Sequence, residues 1–256
     1  VGPLYMPWIN QEYYVGQWSP NIYHNPTSII CRPFALVCMF SLFKILKDDY
    51  KERKEYVKCS IFLAISALAK PSFLQIIIPA MVLFVILRVV ITKKIEWKKW
   101  ISLIAVFLPS YILILLQAFI IFYSGNTLSE GIGIEYGRML HYFTSNIGAS
   151  FFMTMAFPIF VIISNLKALV VKPYIQLIIC LLFASWMEMA FLYEKGLREV
   201  DGNFAWGYML AAFLVWVVVT KEFRENIYTY NEKKTKIIFI IGIIIFSLHL
   251  IFNRIY

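Results

Sequence analysis

Long apolar runs follow one another along this chain, with only short charged breaks between them. An α-helix needs about 20 apolar residues to cross the hydrocarbon core of a bilayer. Backbone polar groups at that depth must be satisfied within the segment, so such runs are helices. The pattern predicts an all-α integral membrane protein, a polytopic transmembrane helix bundle. Seven hydrophobic segments are expected, near 28–46, 57–91, 100–123, 151–166, 174–193, 204–220 and 237–251. Only 15% of the residues are charged, against about a quarter in a water-soluble domain. The whole of 1–256 reads as a single transmembrane domain.

A net charge of +9 would suit a nucleic-acid binder, but the placement of the cations excludes that reading. Lys44, Lys47, Lys51, Arg53, Lys54 and Lys58 form one cluster, and Lys93, Lys94, Lys98 and Lys99 a second. Lys221, Arg224, Lys233, Lys234 and Lys236 form a third. Basic residues gathered in alternate loops mark the cytoplasmic side of a membrane, with anionic lipid as their partner. The chain is thus expected in the cell membrane, multi-pass, with cytoplasmic loops near 47–57, 92–99, 167–173 and 221–236. External loops then fall near 1–27, 124–150 and 194–207, and carry Glu130, Glu135, Glu194, Glu199 and Asp201. Cys31, Cys38, Cys59 and Cys180 lack metal-ligand spacing and read as buried free thiols.

The 57–91 run is too long for one span, and it begins and ends beside basic clusters. Two short helices meeting at Lys70-Pro71-Ser72 satisfy both facts, as one broken or hairpin segment. Proline ends a helix and frees backbone carbonyls. Lys70, at that break, is expected within the membrane, facing a polar cavity where it binds a phosphate; the alternative is a lysine snorkelling at a hairpin apex. Ionisable groups inside a bilayer are functional candidates by default. Arg32 lies about one turn inside the first helix and is placed to contact a phosphate at the membrane surface. His24 and Asn25 precede it, and Thr27 or Ser28 is the expected N-cap. Glu188 falls inside a span, where it must be protonated or paired with a cation such as Lys70 or Arg32.

Two external tracts carry the remaining polar chemistry. Glu135, Arg138 and His141 would share one helix face at i, i+3 spacing, an arrangement read as a solvated ion pair. The stretch 194–207 gathers Glu194, Lys195, Arg198, Glu199, Asp201 and Asn203 beside Trp206. Carboxylates and amides serve sugar hydroxyls while an aromatic ring covers the apolar face; a solvated charged loop is the competing reading.

His24 to Leu36 (HNPTSIICRPFAL), Ser66 to Phe73 (SALAKPSF) and the stretch 194–207 (EKGLREVDGNFAWG) together resemble the GT-C class of bacterial membrane glycosyltransferases. The resemblance covers most of the chain as architecture and these three stretches in particular. It implies transfer of a sugar from a polyprenyl-phosphate donor to an acceptor on the outer face of the membrane. A carboxylate in the first external loop would act as general base. Glu12 is the only acid in that loop here, and the chain is expected to be a fragment whose catalytic acid lies upstream of Val1. The resemblance assigns substrate binding to His24, Asn25, Arg32, Lys70, Glu194, Arg198, Asp201 and Asn203. Some enzymes of the class use a divalent metal, but no acidic pair here has ligand spacing. Competing expectations are a transporter or flippase for lipid-linked saccharides and a non-catalytic membrane subunit of polysaccharide assembly.

Overall fold

The structure is a computed structural model that describes residues 2–12, 14–21, 25–47, 52–123, 129–166, 170–226 and 233–253. Among these residues the chain forms eight helices: α1 (Pro26–Ile45), α2 (Arg53–Ala69), α3 (Ser72–Thr92), α4 (Trp97–Tyr123), α5 (Ile147–Ser164), α6 (Pro173–Phe191), α7 (Ala205–Asn226) and α8 (Lys233–Phe252). Six of them, α1 and α3 to α7, are long and apolar enough to cross a membrane. The first turns of α2 carry Arg53, Lys54, Glu55 and Lys58, and the apolar part of α8 is a shorter stretch, Lys236–Phe252.

The expected seven segments are therefore eight helices, because the 57–91 run is two helices and neither is short. At about 1.5 Å per residue, the 17 residues of α2 and 21 of α3 span about 25 and 32 Å. Lys70 closes α2 in an extended conformation, and its amide donates to the Ser66 carbonyl at 2.8 Å. Pro71 then starts the return. Lys70 sits at the apex of this hairpin, between the end of α2 and the start of α3.

Reversal after each helix places the connections alternately at two ends of the bundle. At one end the Lys99 ammonium donates to the Leu46 carbonyl at 3.3 Å, tying the end of α1 to the start of α4. The described residues of all three basic clusters collect there. At the other end the amide of Gly2 donates to the carbonyl of His249 at 3.3 Å, joining the amino-terminal segment to the end of α8. The Lys70 apex and the residues around 129–146 and 192–204 share that end.

Helix α7 lies deepest, with Tyr208, Met209, Ala211, Ala212, Leu214 and Val215 all buried. A side chain at Gly207 would place its Cβ 2.5 Å from Ile76, so glycine is what lets α7 approach α3. The α1–α2 contact brings the Cys38 and Cys59 sulfurs to 3.4 Å, a proximity the sequence did not announce; all four cysteines are buried and free. Helix α4 is peripheral: Ile101, Ile104, Leu108, Leu115 and Phe119 are exposed. A contiguous apolar surface of this kind suits hydrocarbon rather than water.

Three local features depart from the sequence reading. The tracts expected as separate loops pair as an antiparallel two-stranded sheet, β1 (Ser129–Ile134) and β2 (Leu192–Gly196), with Gly133 opposite Tyr193. The Tyr193 ring occupies the space a Cβ at Gly133 would need, 2.2 Å away, so a larger residue would break the pairing. The N-cap of α1 is Asn25, whose side chain accepts from the Ser28 amide at 3.1 Å, in place of Thr27 or Ser28. Lastly, the segment expected as an external loop near 1–27 packs into the bundle, with Asn10, Gln17, Trp18 and Ser19 buried. Asn10 donates to the Thr144 and Ser150 hydroxyls at 3.1 and 2.8 Å, and Ser150 donates to the Gly16 carbonyl at 2.9 Å.

Candidate functional site

One stripe of α7 organises the end of the bundle remote from the basic clusters. Trp206, Met209 and Phe213 stand at i, i+3 and i+7, on a common helix face. Lys70, from the α2–α3 apex, places its ammonium 4.5 Å from the centre of the Trp206 ring. Arg32, from α1, places its guanidinium 5.0 Å from the centre of the Phe213 ring and also donates to the Pro20 carbonyl of the amino-terminal segment. The two cations thus occupy aromatic seats two helical turns apart, about 10 Å along the axis. A ring face attracts a cation and contributes about 0.5–2 kcal/mol, more as water is removed.

No described carboxylate lies within salt-bridge distance of Lys70; burial, partly offset by the nearby Cys31 thiol, lowers its ammonium to about 8. Cys31 itself contacts the Lys70 carbonyl at 3.9 Å and the Ser66 carbonyl at 3.7 Å, holding α1 against the apex.

Beside this stripe is a cavity of about 220 Å³, lined by Trp18, Phe143, Asp201, Gly202, Trp206 and Met209 among others. Trp18 is fully buried, meets Phe143 edge to face at 6.0 Å, and takes the left-handed φ of +54°. Its indole N–H has no hydrogen-bond partner among the described residues, nor does the side-chain oxygen of the neighbouring Gln17. Unsatisfied buried donors are uncommon and mark a place where water or a ligand belongs.

The residues expected to bind substrate are only partly brought together. Lys70, Arg32 and Asp201 border the α7 stripe or its cavity. Glu194 accepts from Asn203 at 2.8 Å, and Arg198 lies 3.1 Å from Asp201 and 3.6 Å from Glu194, so these side chains chiefly hold one another. Asn25 is the α1 cap and His24 lies outside the described residues. Glu12 is half-buried in the amino-terminal segment with its carboxylate near Gly16, and it does not line the cavity. Glu188 is not ion-paired with Lys70 or Arg32; it lies in an apolar groove with Ile78, Pro79, Phe183 and Met187.

Glu135 and Arg138 do pair, at 3.0 Å, though in the turn after β1 rather than on a helix. Arg138 also binds Glu199 at 2.7 Å and covers the Tyr193 ring at 5.0 Å, while Tyr142 donates to Glu199 at 3.1 Å. The Arg138 hydrogen bond, aided by Tyr142, holds Glu199 below the usual carboxylate range. This exposed network staples the two-stranded sheet to the turn that follows it. His141 is exposed and takes no part in the pairs that Arg138 makes.

Sequence reasoning missed Trp18, Phe143 and Phe213. The i, i+7 spacing of Trp206 and Phe213 was the available signal, but it identifies a helix face and not what sits on it. Among the described residues, no group of three or more His, Cys, Asp or Glu side chains is placed to hold a metal ion. No family model, curated protein or solved structure matches this chain.

Proposed function

We propose that this chain acts on a lipid-linked phosphate at the end of the bundle opposite its basic clusters, as a membrane glycosyltransferase of the GT-C kind using a polyprenyl-phosphate sugar. The observation that carries the reading is the pair of half-buried cations, Lys70 and Arg32, seated on the Trp206 and Phe213 rings along one face of α7. Lys70, which no described carboxylate approaches, keeps its ring-seated charge for an incoming anion, whereas a cation already bonded to a carboxylate has spent it. A phosphate leaving group gains negative charge as the sugar departs, and preorganised cations stabilise that charge. The adjoining cavity supports the reading in a second way. Trp18, Phe143 and Trp206 offer flat apolar faces for a sugar ring, while the free indole N–H and the Asp201 carboxylate offer a donor and an acceptor for hydroxyls. Asp201 joins Glu12 as a candidate base, and of the two it is the one on the cavity wall.

In this reading the protein lies in the cell membrane with its basic loops in the cytoplasm and the Lys70 end outside, as the distribution of Lys and Arg favours. A cysteine introduced at Arg198 should then react with an impermeant maleimide in intact cells; reaction only after permeabilisation would invert the orientation.

The activity test uses the chain reconstituted in vesicles with radiolabelled polyprenyl-phosphate sugar and envelope extract as acceptor. Label should pass to the acceptor, and Lys70→Ala should lower the rate by about a hundredfold, the size of effect expected when one donor to a developing oxyanion is removed. Unchanged transfer by Lys70→Ala removes the cation pair from the chemistry. Label that crosses the bilayer without forming a new glycosidic bond identifies a flippase instead.

A further inference from the structure

The basic end holds a second built feature, independent of the site above. Helices α2 and α4 both begin there, and between their first turns lies a cleft of about 860 Å³. Lys47, Arg53, Lys98 and Lys99 stand on its rim, and Val57 and Ile61 form part of its apolar wall. We propose that this cleft binds one anionic phospholipid, with its phosphate among Lys47, Arg53 and Lys98 and an acyl chain against Val57 and Ile61.

The charge balance of the cleft supports an anionic occupant. Elsewhere at this end the cations packed against the helices are matched in several places: Lys44 with Glu55 at 2.9 Å, Lys172 with Glu222 at 2.6 Å, Lys221 with Glu225 at 2.8 Å. In the cleft the acid is Glu96, and it stands 3.8 Å from Lys99. Glu52 is turned to Lys54 at 2.6 Å, and Glu55 is buried against Ser41 and Lys44. Among the described residues no carboxylate comes within salt-bridge distance of Lys47, Arg53 or Lys98.

Backbone adds to the same field. The first N–H groups of a helix lack internal acceptors and carry partial positive charge, and here two helix starts border one cleft. Glu52, at the N-cap of α2, makes no side-chain capping bond. The lining distinguishes a lipid from free phosphate. Val57 and Ile61 are exposed on the α2 face of the cleft, where a hydrocarbon chain gains from contact and an inorganic ion gains nothing. Such a lipid would also bridge α2 to α4, a helix whose outer face is bare of protein.

The test is native mass spectrometry of the full chain in mild detergent, titrated with phosphatidylglycerol, phosphatidylcholine or inorganic phosphate. Retention of one phosphatidylglycerol per chain is expected, with no comparable retention of phosphatidylcholine and no displacement by phosphate. Each basic residue near a headgroup changes binding about fivefold, so combined Lys47→Ala, Arg53→Ala and Lys98→Ala should weaken it about a hundredfold. Combined Lys94→Ala, Arg224→Ala and Lys236→Ala removes the same charge from the same end and should leave binding within about twofold. If the cleft triple is not recovered folded, Arg53→Gln alone, with an expected loss of about fivefold, decides the matter. Equal loss in both triples, displacement by phosphate, or a wild-type chain that retains no lipid would overturn the proposal.

Discussion

The two ends of this bundle treat their cations in opposite ways. At the basic end, the cations closest to the protein interior are held by carboxylates: Glu222, 1% exposed, takes Lys172 at 2.6 Å and the Tyr174 hydroxyl at 2.5 Å. At the other end, Lys70 and Arg32 rest on aromatic rings, while Glu135, Glu194, Glu199 and Asp201 bond to exposed arginines or to Asn203. A buried pair neutralises itself and fixes helices in place. A cation on a ring is held more weakly and still presents its charge. The first arrangement suits architecture, the second suits an anionic ligand.

That contrast can be broken at either end. The largest change in stability should come from Glu222→Ala, which removes both partners' bonds at a buried position and lowers stability by about 2–3 kcal/mol. Thermal unfolding in detergent measures it, and a shift indistinguishable from wild type would mean the basic end is not held by this pair. The ring-seated end should respond to pH instead. Burial lowers Lys70 to about 8, so from about pH 8 to 9 the charged fraction falls roughly fivefold and affinity for a phosphate lipid should fall with it. The folded state binds fewer protons at Lys70 than the unfolded state does, so this group's contribution to stability rises as pH climbs from about 8 towards 10.4. Affinity flat to about pH 9.5 would show that Lys70 does not contact the ligand.

Smaller effects separate packing from surface. Asn10→Ala breaks two bonds to Thr144 and Ser150, hydroxyls that keep one another at 2.9 Å, and should lower stability by about 1 kcal/mol. Arg138→Ala removes exposed pairs with Glu135 and Glu199 and should change stability by less than about 1 kcal/mol. A larger loss for Arg138 than for Asn10 would mean that the sheet, and not the buried amino-terminal segment, orders this end.

What the sequence made legible follows from what is local. Apolar run length foretold the helices, and the basic clusters foretold that connections sort to two ends. The Lys70-Pro71 turn was visible because proline cannot continue a helix, but the two helices it joins were expected to be short and instead run for 17 and 21 residues. The sheet was hidden. Its strands lie about sixty residues apart in sequence, and neither SEGIGI nor LYEKG shows the alternation that marks a half-buried strand. The packing of Asn10 and Trp18 was hidden for the same reason, since their partners around Thr144, Ser150 and Phe143 lie more than a hundred residues away. Lys70, Arg32 and Asp201 could be named in advance as candidates, yet only the fold brings them to one face of α7.

The central claim is that this face receives a lipid-linked phosphate. Photoaffinity labelling of the reconstituted chain with a diazirine-bearing polyprenyl phosphate tests it most directly. The label should map to the peptides containing residues 66–73 and 206–213 and should fall sharply in Lys70→Ala. Label confined to the basic end, or spread over the exposed faces of α4 with no change in Lys70→Ala, would contradict it.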